Sequence, residues 1–484
     1  MSRPIRVATS PERAQPHRWY ALALLCTTLF LIILDSSIVI VAIPSIDGDL
    51  ALSADGAQWV VSAYAVTFGG LLLLGGRAAD RLGRRRVFMW GVAVFALSSL
   101  GCGLAPSGEL LVVARMFQGA GAAMMAPSAL SIVMATFVEA AERNRALGFW
   151  GATGGIGGTT GALVGGPITQ GPGWPWIFFL NVPVCVALLA LSPVLLREHH
   201  ERGRGGSFGA PAAATVTMAA MLLVYAVVQV PVHGWTGPRT WPALVAVAVL
   251  GVVFWRAESR SADPLIPPRL ARSPALIGGS LVTVAIGMMV FGGVAFTLTL
   301  YAQNVLGYSA SAFGLMSSIN AVMAIVGSTV GQRAVTRCGP GRVAVVSLLI
   351  TALACAHLTR IDADGTFLTD LLPALLIFGA GLGAGTVAGT IAALSEVEER
   401  HSGVASGIST AAFQLGGALG VALISSAAVW RTGRAPAGTM LEDALTDGYR
   451  FGFMVAVAIA LVTLPLAHIL LRPARTTSPS RRNP

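Results

Sequence analysis

Lysine is absent from this 484-residue chain, and charged residues of every kind are scarce. The 32 basic residues are all arginine, and charged residues make up 11% of the sequence against 55% hydrophobic residues. Soluble domains carry about 25% charged residues. A soluble protein this apolar would have too few polar side chains to cover its surface. The composition therefore excludes a soluble protein and indicates a chain that crosses a membrane many times.

Cysteine is also sparse, and no cluster of reactive side chains stands out. The five cysteines are scattered without metal-ligand spacing, which favours small apolar packing residues and predicts no metal. The seven histidines are dispersed as well, although a membrane-embedded enzyme would need a catalytic histidine or acid cluster at a membrane face. No loop is long enough to hold the soluble domain of a sensor. We therefore expect no cofactor and no enzyme, and a membrane-embedded enzyme stays the alternative from another class.

The arginines are distributed unevenly. With the spans given below, 26 lie in one alternating set of loops and tails, five lie in the other set, and Arg115 lies within a span. Loops rich in arginine stay on the cytoplasmic side, so both termini are predicted to be cytoplasmic in a multi-pass protein of the cell membrane. The net charge of +10 then reflects topology and contact with anionic lipid headgroups. We expect no nucleic-acid partner.

Apolar runs bounded by charges or by proline and glycine clusters predict fourteen membrane-spanning helices. The first run is too long for a signal-peptide core and lacks a small-residue cleavage site, so we interpret it as a retained helix. An even number of spans agrees with two termini on one side. The predicted limits are 19–43, 57–76, 87–104, 110–134, 146–168, 177–196, 210–230, 241–256, 275–300, 312–333, 343–359, 369–394, 403–430 and 449–471.

A repeated arginine turn relates the two ends of the chain. Residues 75–87, after span 2, align without gaps with residues 331–343, after span 10, at an offset of 256 residues and with seven identities. Transporters are often built from such repeats, and this register pairs spans 1–6 with spans 9–14. The predicted organisation is a cytoplasmic tail at 1–18, a six-helix bundle at 19–196, a linker with two inserted helices at 197–274, a second six-helix bundle at 275–471 and a cytoplasmic tail at 472–484.

One acid lies deep within an apolar run. Asp35 is in the first span, where an ionised carboxylate costs roughly 2.5 kcal/mol or more, whereas the other acids lie in loops or at helix ends. Arg115 lies inside the fourth span, which runs in the opposite direction. At about 1.5 Å per residue, both lie roughly 8 to 13 Å below the same membrane face. Buried charges of opposite sign usually pair, so we predict that these two residues form an ion pair.

This pair suggests a proton site. Desolvation favours the neutral acid at Asp35, whereas an adjacent Arg115 guanidinium favours the carboxylate. A site in which that contact or its hydration changes can take up a proton on one face of the membrane and release it on the other. The alternative is a static structural ion pair.

The first arginine turn also carries an acid and two glycines, and it reads Gly-Arg-Ala-Ala-Asp-Arg-Leu-Gly-Arg-Arg-Arg over residues 76–86. The glycines permit a tight backbone, and the acid can pair with an arginine or cap a helix. This segment resembles the loop between helices 2 and 3 of the major facilitator superfamily. The resemblance implies a latch that closes the cytoplasmic side, formed by Gly76, Asp80, Arg81, Gly83 and Arg84. The alternative is a basic anchor at the membrane face.

Further motifs lie along nearly the whole chain, at 34–44, Gln58-Trp59, Tyr64, 111–123, 174–183, 301–309, 403–407 and 414–420. Together they resemble a narrower family, the fourteen-helix drug:proton antiporters. Ile40 and Pro175 stand where that family usually has asparagine and arginine. The resemblance implies an all-α major facilitator fold of two six-helix bundles plus two inserted helices, and efflux driven by protons that Asp35 carries and Arg115 tunes.

Span 5 is rich in glycine. Gly157, Gly161 and Gly165 recur every four residues and predict a flat face for close helix packing. The stretch occupies the place of the antiporter signature of the family, but Ala162 replaces the usual proline and Pro167 follows five residues later. Either the kink has moved or this helix is straighter. A phosphate-binding loop is excluded because neither a lysine nor a preceding strand is present.

The sequence predicts an exporter of hydrophobic or amphipathic drugs or antibiotics that works by alternating access as a monomer. Its partners are then a lipophilic small molecule, protons and membrane lipids. The alternative within transport is a facilitator that exports one metabolite or lipid without proton antiport through Asp35. Residues proposed to line a mainly apolar substrate cavity are Tyr64, Gln118, Asn320, Phe413 and Gln414.

Overall fold

Long α-helices joined by short connections form the fold. The computed structural model of the protein describes residues 18–52, 54–137, 139–196, 198, 210–234, 237–261, 264, 268–395, 397, 402–436 and 438–471. The predicted all-helical fold is confirmed, and the described residues form fourteen long helices. The helices are α1 (Arg18–Leu50), α2 (Ala54–Leu82), α3 (Arg84–Gly103), α4 (Gly108–Thr136), α5 (Ala140–Gln170), α6 (Pro175–Leu195), α7 (Ala210–His233), α8 (Thr240–Arg260), α9 (Pro274–Asn304), α10 (Ala310–Cys338), α11 (Pro340–Leu358), α12 (Phe367–Leu394), α13 (Ser402–Thr432) and α14 (Leu441–Leu470).

Most of these helices are long and apolar enough to cross a membrane. Twelve qualify by length and composition, whereas α5 is long but rich in glycine and α7 is apolar over the shorter stretch Ala214–Val230. Outer faces carry exposed apolar side chains such as Leu97, Phe117 and Val194, which are 70%, 61% and 81% exposed. Such faces suit the hydrocarbon interior of a bilayer, because in water they would drive association.

Several helices extend beyond the predicted apolar runs. Helix α1 continues through Pro44 to Leu50, although a proline inside a helix removes one backbone hydrogen bond. Neighbouring helices allow such prolines in membrane proteins. Helix α8 is also longer than its predicted span of 241–256, because the polar residues up to Arg260 remain helical. The predicted tail at 472–484, and residues 1–17 of the other tail, lie outside the described residues.

The same scheme of helix contacts occurs twice. In the first half, α4 packs against both α2 and α3, α5 packs on α1, and α6 packs on α3. In the second half, α12 packs against both α10 and α11, α13 packs on α9, and α14 packs on α11. Each contact of the first half therefore has a counterpart eight helices later, as the register of the arginine turns indicated.

The two halves meet along two seams, α2 with α13 and α5 with α10, and these seams are themselves related by the repeat. Near the end of α1, the Gln303 amide donates a hydrogen bond to the Val41 carbonyl at 3.2 Å. At the same end of the molecule, the Ser311 hydroxyl contacts the Gln170 side chain. Helix α7 packs on α2 and α13, and α8 packs mainly on α7, so the inserted pair flanks one seam.

The two arginine turns have the same backbone geometry. Gly83 connects α2 to α3 with φ of 101°, and Gly339 connects α10 to α11 with φ of 82°. These φ values lie in a region that side chains with a Cβ disfavour, so glycine allows a turn of one residue between two long helices. The repeat thus extends from the helix packing to the conformation of a single residue.

Helix α9 contains an irregular central segment. Residues Met289–Thr297 form a π-helical stretch, and the Thr297 hydroxyl donates to the Gly292 carbonyl, five residues earlier, at 2.6 Å. At this level the backbone of Gly292 lies so close to Gly420 of α13 that a Cβ would overlap the Gly420 carbonyl group. The wider helical turn therefore coincides with a close crossing of two helices.

Candidate functional site

Asp35 and Arg115 form an ion pair in the interior of the first half. A guanidinium nitrogen of Arg115, on α4, donates to Asp35 Oδ2, on α1, at 2.6 Å. The Asp35 side chain is 0% exposed and the Arg115 side chain 1%. Among the described residues they are the only charged side chains that are fully buried. Burial of this kind is tolerated only when each charge has a partner and further hydrogen bonds.

Gln118, one helical turn after Arg115, bridges the two charges. Its Oε1 accepts a hydrogen bond from the Arg115 guanidinium at 2.6 Å, and its Nε2 donates to Asp35 Oδ1 at 2.8 Å. The same Nε2 also donates to the Ser99 hydroxyl of α3 at 2.8 Å. Both ends of the Gln118 amide are therefore engaged, and this side chain fixes the pair on two sides.

Asn181, on α6, supplies the third donor to the carboxylate. Its Nδ2 donates to Asp35 Oδ1 at 2.8 Å and lies 3.4 Å from the Ser99 hydroxyl. The other end of this amide, Oδ1, is buried and has no hydrogen-bond partner among the described residues. The carboxylate thus accepts from Arg115, Gln118 and Asn181, which come from two different helices of the first half.

An aromatic ring covers the arginine. The Arg115 guanidinium carbon lies 4.2 Å from the centre of the Tyr64 ring on α2, and Arg115 Nε donates to the Val60 carbonyl at 3.1 Å. A cation over an aromatic face is stabilised by the ring quadrupole. The Tyr64 hydroxyl donates to the Ile32 carbonyl of α1 at 3.4 Å. Arg115 therefore keeps a carbonyl, an amide and a ring as partners that do not depend on the charge of Asp35.

The glycines of α5 bring that helix onto the Asp35 segment of α1. A Cβ added at Gly161 would lie 2.8 Å from the Leu34 carbonyl oxygen, and one at Gly157 would lie 2.9 Å from the Phe30 carbonyl oxygen. Gly165 faces Ile38 in the same way. The predicted flat face is thus turned toward α1, one residue away from the buried acid.

Comparison with known proteins gives a consistent assignment. The model of the Major Facilitator Superfamily matches residues 25–421 and 280–484. The chain is 36% identical to the puromycin resistance protein pur8 of Streptomyces alboniger, over 94% of this chain and 92% of that one. It is 37% identical to the cephamycin export protein CmcT of Amycolatopsis lactamdurans, over 95% of this chain and 94% of that one.

The chain belongs to the major facilitator superfamily. A solved structure of a bacterial homologue of the human lysosomal transporter Spinster, in an inward-facing and unoccupied conformation, has the same fold. Its TM-score is 0.66 at 16% identity, over 95% of this chain and 98% of that one. The protein is accordingly a multi-span membrane transporter and not an enzyme.

The arginine turn of this major facilitator joins helix ends within the first half. Arg84 donates to the Ser131 carbonyl of α4 at 3.3 Å. Arg85 donates through its side chain to the Leu196 carbonyl at 3.1 Å, and its backbone N–H donates to Glu198 Oε1 at 3.3 Å. These contacts bind the turn to the ends of α4 and α6.

The remaining residues of the predicted latch are placed less tightly. Gly76 has only the Pro127 ring near the position of a Cβ, at 3.7 Å, and Arg81 is half-buried. The Asp80 side chain lies outside the described part of the chain. Gly83 forms the one-residue turn described above. The role of these residues as a latch stays a prediction.

The residues predicted to line a substrate cavity fall into two groups. Tyr64 and Gln118 belong to the charge cluster and are 2% and 0% exposed. In the second half, Asn320 is half-buried with an Oδ1 that has no partner among the described residues, and Gln414 is buried. The Phe413 ring lies 5.6 Å from the ring of Phe291 in the π-helical stretch of α9.

Sequence reasoning missed two members of the cluster, Asn181 and Ser99. Asn181 lies in the segment 174–183, which matched the antiporter family without giving this asparagine a role. The available signal was an amide directly after an apolar run, since a buried amide in a membrane helix needs a polar partner. Ser99 gave no such signal, because serine hydroxyls readily bond to their own helix.

Proposed function

We propose that this major facilitator exports hydrophobic or amphipathic compounds, drugs or antibiotics among them, by alternating access driven by inward proton flow. Asp35 carries the proton, and Arg115 sets how readily it is taken up and released. Relatives that match nearly the whole chain include a puromycin resistance protein and a cephamycin export protein, which supports an efflux role. The observation that carries proton coupling is the sealed Asp35–Arg115 pair with its amide partners.

The ion pair fits a coupling role because Asp35 and Arg115 respond differently when a proton is taken up. Arg115 retains the Val60 carbonyl, Gln118 and the Tyr64 ring when Asp35 becomes neutral, so protonation loosens α1 from α4 without stranding the arginine. The two related seams between the halves, α2 with α13 and α5 with α10, are surfaces along which a rocking motion can proceed.

The proposed topology places both termini and the arginine turns in the cytoplasm, following the uneven distribution of arginine. The contacts of Gln303 with Val41 and of Ser311 with Gln170 then lie toward the outer face. These contacts join the halves on the side from which protons enter. We expect the protein to act as a monomer surrounded by lipid.

A second candidate is export without proton antiport through Asp35. It is favoured by the position of Ala162, which stands where the antiporter signature has proline, and by the continuity of α5 from Ala140 to Gln170. The Ala162 carbonyl lies against Gly314 of α10, so this part of α5 contributes to a seam between the halves.

The test is substrate-triggered proton movement in inverted vesicles that are energised to be acid inside. Lipophilic cations and neutral antibiotics are added one at a time to vesicles with wild type, Asp35→Asn or the control Asp47→Asn, which changes an exposed acid of the same helix. We expect some compound to collapse the gradient with wild type and Asp47→Asn but not with Asp35→Asn. Continued coupling in Asp35→Asn, at matched amounts of folded protein, favours the second candidate.

A further inference from the structure

Asn181 has one unused polar atom beside the buried ion pair. The side chain is 0% exposed, its Nδ2 donates to Asp35 Oδ1 at 2.8 Å, and its Oδ1 has no partner among the described residues. Native proteins pair nearly all buried polar atoms, so an orphan at a charged site calls for an explanation. The protonated form of Asp35 provides an explanation, because it needs a hydrogen-bond acceptor.

A protonated carboxyl group needs an acceptor, because its O–H becomes a donor. Arg115 cannot accept, since a guanidinium has only donors. Gln118 cannot turn without losing its bond to Arg115, because its Oε1 accepts from the guanidinium and its Nε2 can only donate. Of the three groups that donate to Asp35, only Asn181 has a free acceptor.

We propose that Asn181 reverses its side-chain amide when Asp35 takes up a proton. In the ionised state Nδ2 donates to Asp35 Oδ1, as the structure has it. A proton delivered from water bonds to Asp35 Oδ1, the amide turns by half a rotation, and Asn181 Oδ1 accepts the new O–H. On release the proton returns to water and the amide turns back. No covalent bond to Asn181 forms or breaks.

Ser99 accommodates both orientations. Its hydroxyl oxygen accepts from Gln118 Nε2 at 2.8 Å and lies 3.4 Å from Asn181 Nδ2. After the amide turns, Asn181 Oδ1 occupies that place and can accept the Ser99 hydroxyl proton. A hydroxyl group is suited to this position because it can donate or accept.

Other titratable groups face Asp35 from the helices around it. They are Arg115 of α4, Tyr64 of α2, Cys102 of α3 and Cys185 of α6. Thiols and phenols ordinarily titrate at about 8.5 and about 10, and a guanidinium above 12. In the proposal, Asp35 is the residue of this cluster whose charge changes.

Asn181 is therefore a positioning residue for proton uptake. The inference rests on the proposed proton coupling through Asp35. Asn181 keeps one hydrogen bond to Asp35 in both protonation states, so the carboxyl group has an amide partner whether or not it carries the proton. An amide that only donated would favour the ionised state and oppose proton uptake.

Infrared difference spectroscopy tests the reversal directly. The chain has five asparagines, so protein grown with asparagine labelled by carbon-13 at the side-chain carbonyl gives few labelled bands. Spectra of the full chain in lipid are compared at acid and alkaline pH for wild type, Asp35→Asn, Asn181→Thr and Asn320→Ser. The last is a matched control, since Asn320 also has an orphan Oδ1 but lies in the second half.

We expect acid pH to produce a neutral carboxyl band that Asp35→Asn removes. We also expect a concurrent shift of one labelled amide band, lost in Asp35→Asn and Asn181→Thr and retained in Asn320→Ser. A carboxyl band from Asp35 without an amide shift overturns the reversal and leaves proton coupling intact. Absence of a carboxyl band assignable to Asp35 overturns both.

Transport supplies a second measurement. Asn181→Thr supplies a hydroxyl that can donate or accept, whereas Asn181→Leu has the same number and branching of side-chain heavy atoms and can do neither. Because a hydrogen bond to a charged group is lost, we expect substrate-triggered proton release to fall by about tenfold or more in Asn181→Leu and to remain close to wild type in Asn181→Thr. Equal losses in two variants that are equally well folded indicate packing alone and overturn the proposal.

Discussion

The two halves of this major facilitator have one packing scheme but bury different residues. At the offset of 256 residues that aligns the arginine turns, the four cluster positions of α1, α3 and α4 correspond to apolar residues. Three of these apolar residues are fully buried and the fourth is half-buried. The pairs are Asp35 with Phe291, Ser99 with Cys355, Arg115 with Leu371 and Gln118 with Ala374.

This difference separates the requirements of the fold from those of function. The second half forms the same helix contacts without a charge at these positions, so the scheme does not depend on the ion pair. A buried pair is weak evidence for stability, because desolvation offsets its attraction. Retaining one in a single half therefore supports a role in transport.

The largest expected effect comes from removing one member of the pair. Arg115→Leu leaves Asp35 as a lone buried charge, which costs about 3 to 5 kcal/mol of unfolding free energy in comparable cases. We expect the double variant Asp35→Asn with Arg115→Leu to recover most of that loss, because no lone charge remains. Denaturant unfolding of purified protein in detergent measures both. Equal losses in the single and double variants would contradict the view that the fold does not depend on the pair.

Introducing a charge into the second half also tests the difference between the charged cluster of the first half and its apolar counterpart. Phe291→Asp puts a carboxylate at the counterpart of Asp35, where Leu371 and Ala374 offer no side-chain donor. We expect it to cost roughly 2.5 kcal/mol or more and to confer no additional proton coupling. Phe291→Leu is the control for loss of the ring contact with Phe413. An increase in substrate-triggered proton release in Phe291→Asp would contradict the view that proton coupling is confined to the first half.

The approach of α5 to α1 should be sensitive at one glycine and insensitive at another. A Cβ at Gly161 would lie 2.8 Å from a backbone oxygen of α1, whereas at Gly158 the nearest atoms are side-chain atoms at 3.8 Å. We expect Gly161→Ala to cost about 1 to 3 kcal/mol through overpacking and to reduce export, and Gly158→Ala to resemble wild type. Thermal unfolding and drug efflux from cells distinguish the two.

The smallest expected effect concerns the two one-residue turns. Gly83→Ala and Gly339→Ala each force a side chain into a positive-φ conformation, which costs about 1 to 2 kcal/mol. We expect similar losses of stability because the backbone geometry repeats. Export should fall more in Gly83→Ala, where Arg84 and Arg85 bind the ends of α4 and α6. Equal export in both variants would count against a latch confined to the first half.

The sequence predicted the fold well because membrane spans depend on long apolar runs, which are local. It predicted helix ends less well, since α1 continues past Pro44 through residues that composition alone assigns to a loop. The π-helical stretch of α9 was not predicted, because it depends on the crossing of Gly292 with Gly420, which are far apart in the chain.

The site was predictable only where charge identified it. Asp35 and Arg115 stood out as intramembrane charges, and direction and rise placed them at similar depth. The structure brings Gln118 and Tyr64 to the pair, although both were assigned to the substrate cavity. The rotation of a helix about its axis decides which neighbouring helix a neutral side chain contacts. A single sequence does not specify that rotation. Asn181 was missed for this reason.

The enclosure of the ion pair has an electrical consequence. When Asp35 is ionised, its charge and that of Arg115 cancel, and the cluster presents no net charge to the membrane field. When Asp35 is protonated, the same cluster carries one positive charge on Arg115. A potential of 100 mV acts on a full elementary charge with about 2.3 kcal/mol. In the proposed transport cycle, the voltage therefore drives the conformational step of the protonated carrier and leaves the step of the deprotonated carrier nearly unaffected.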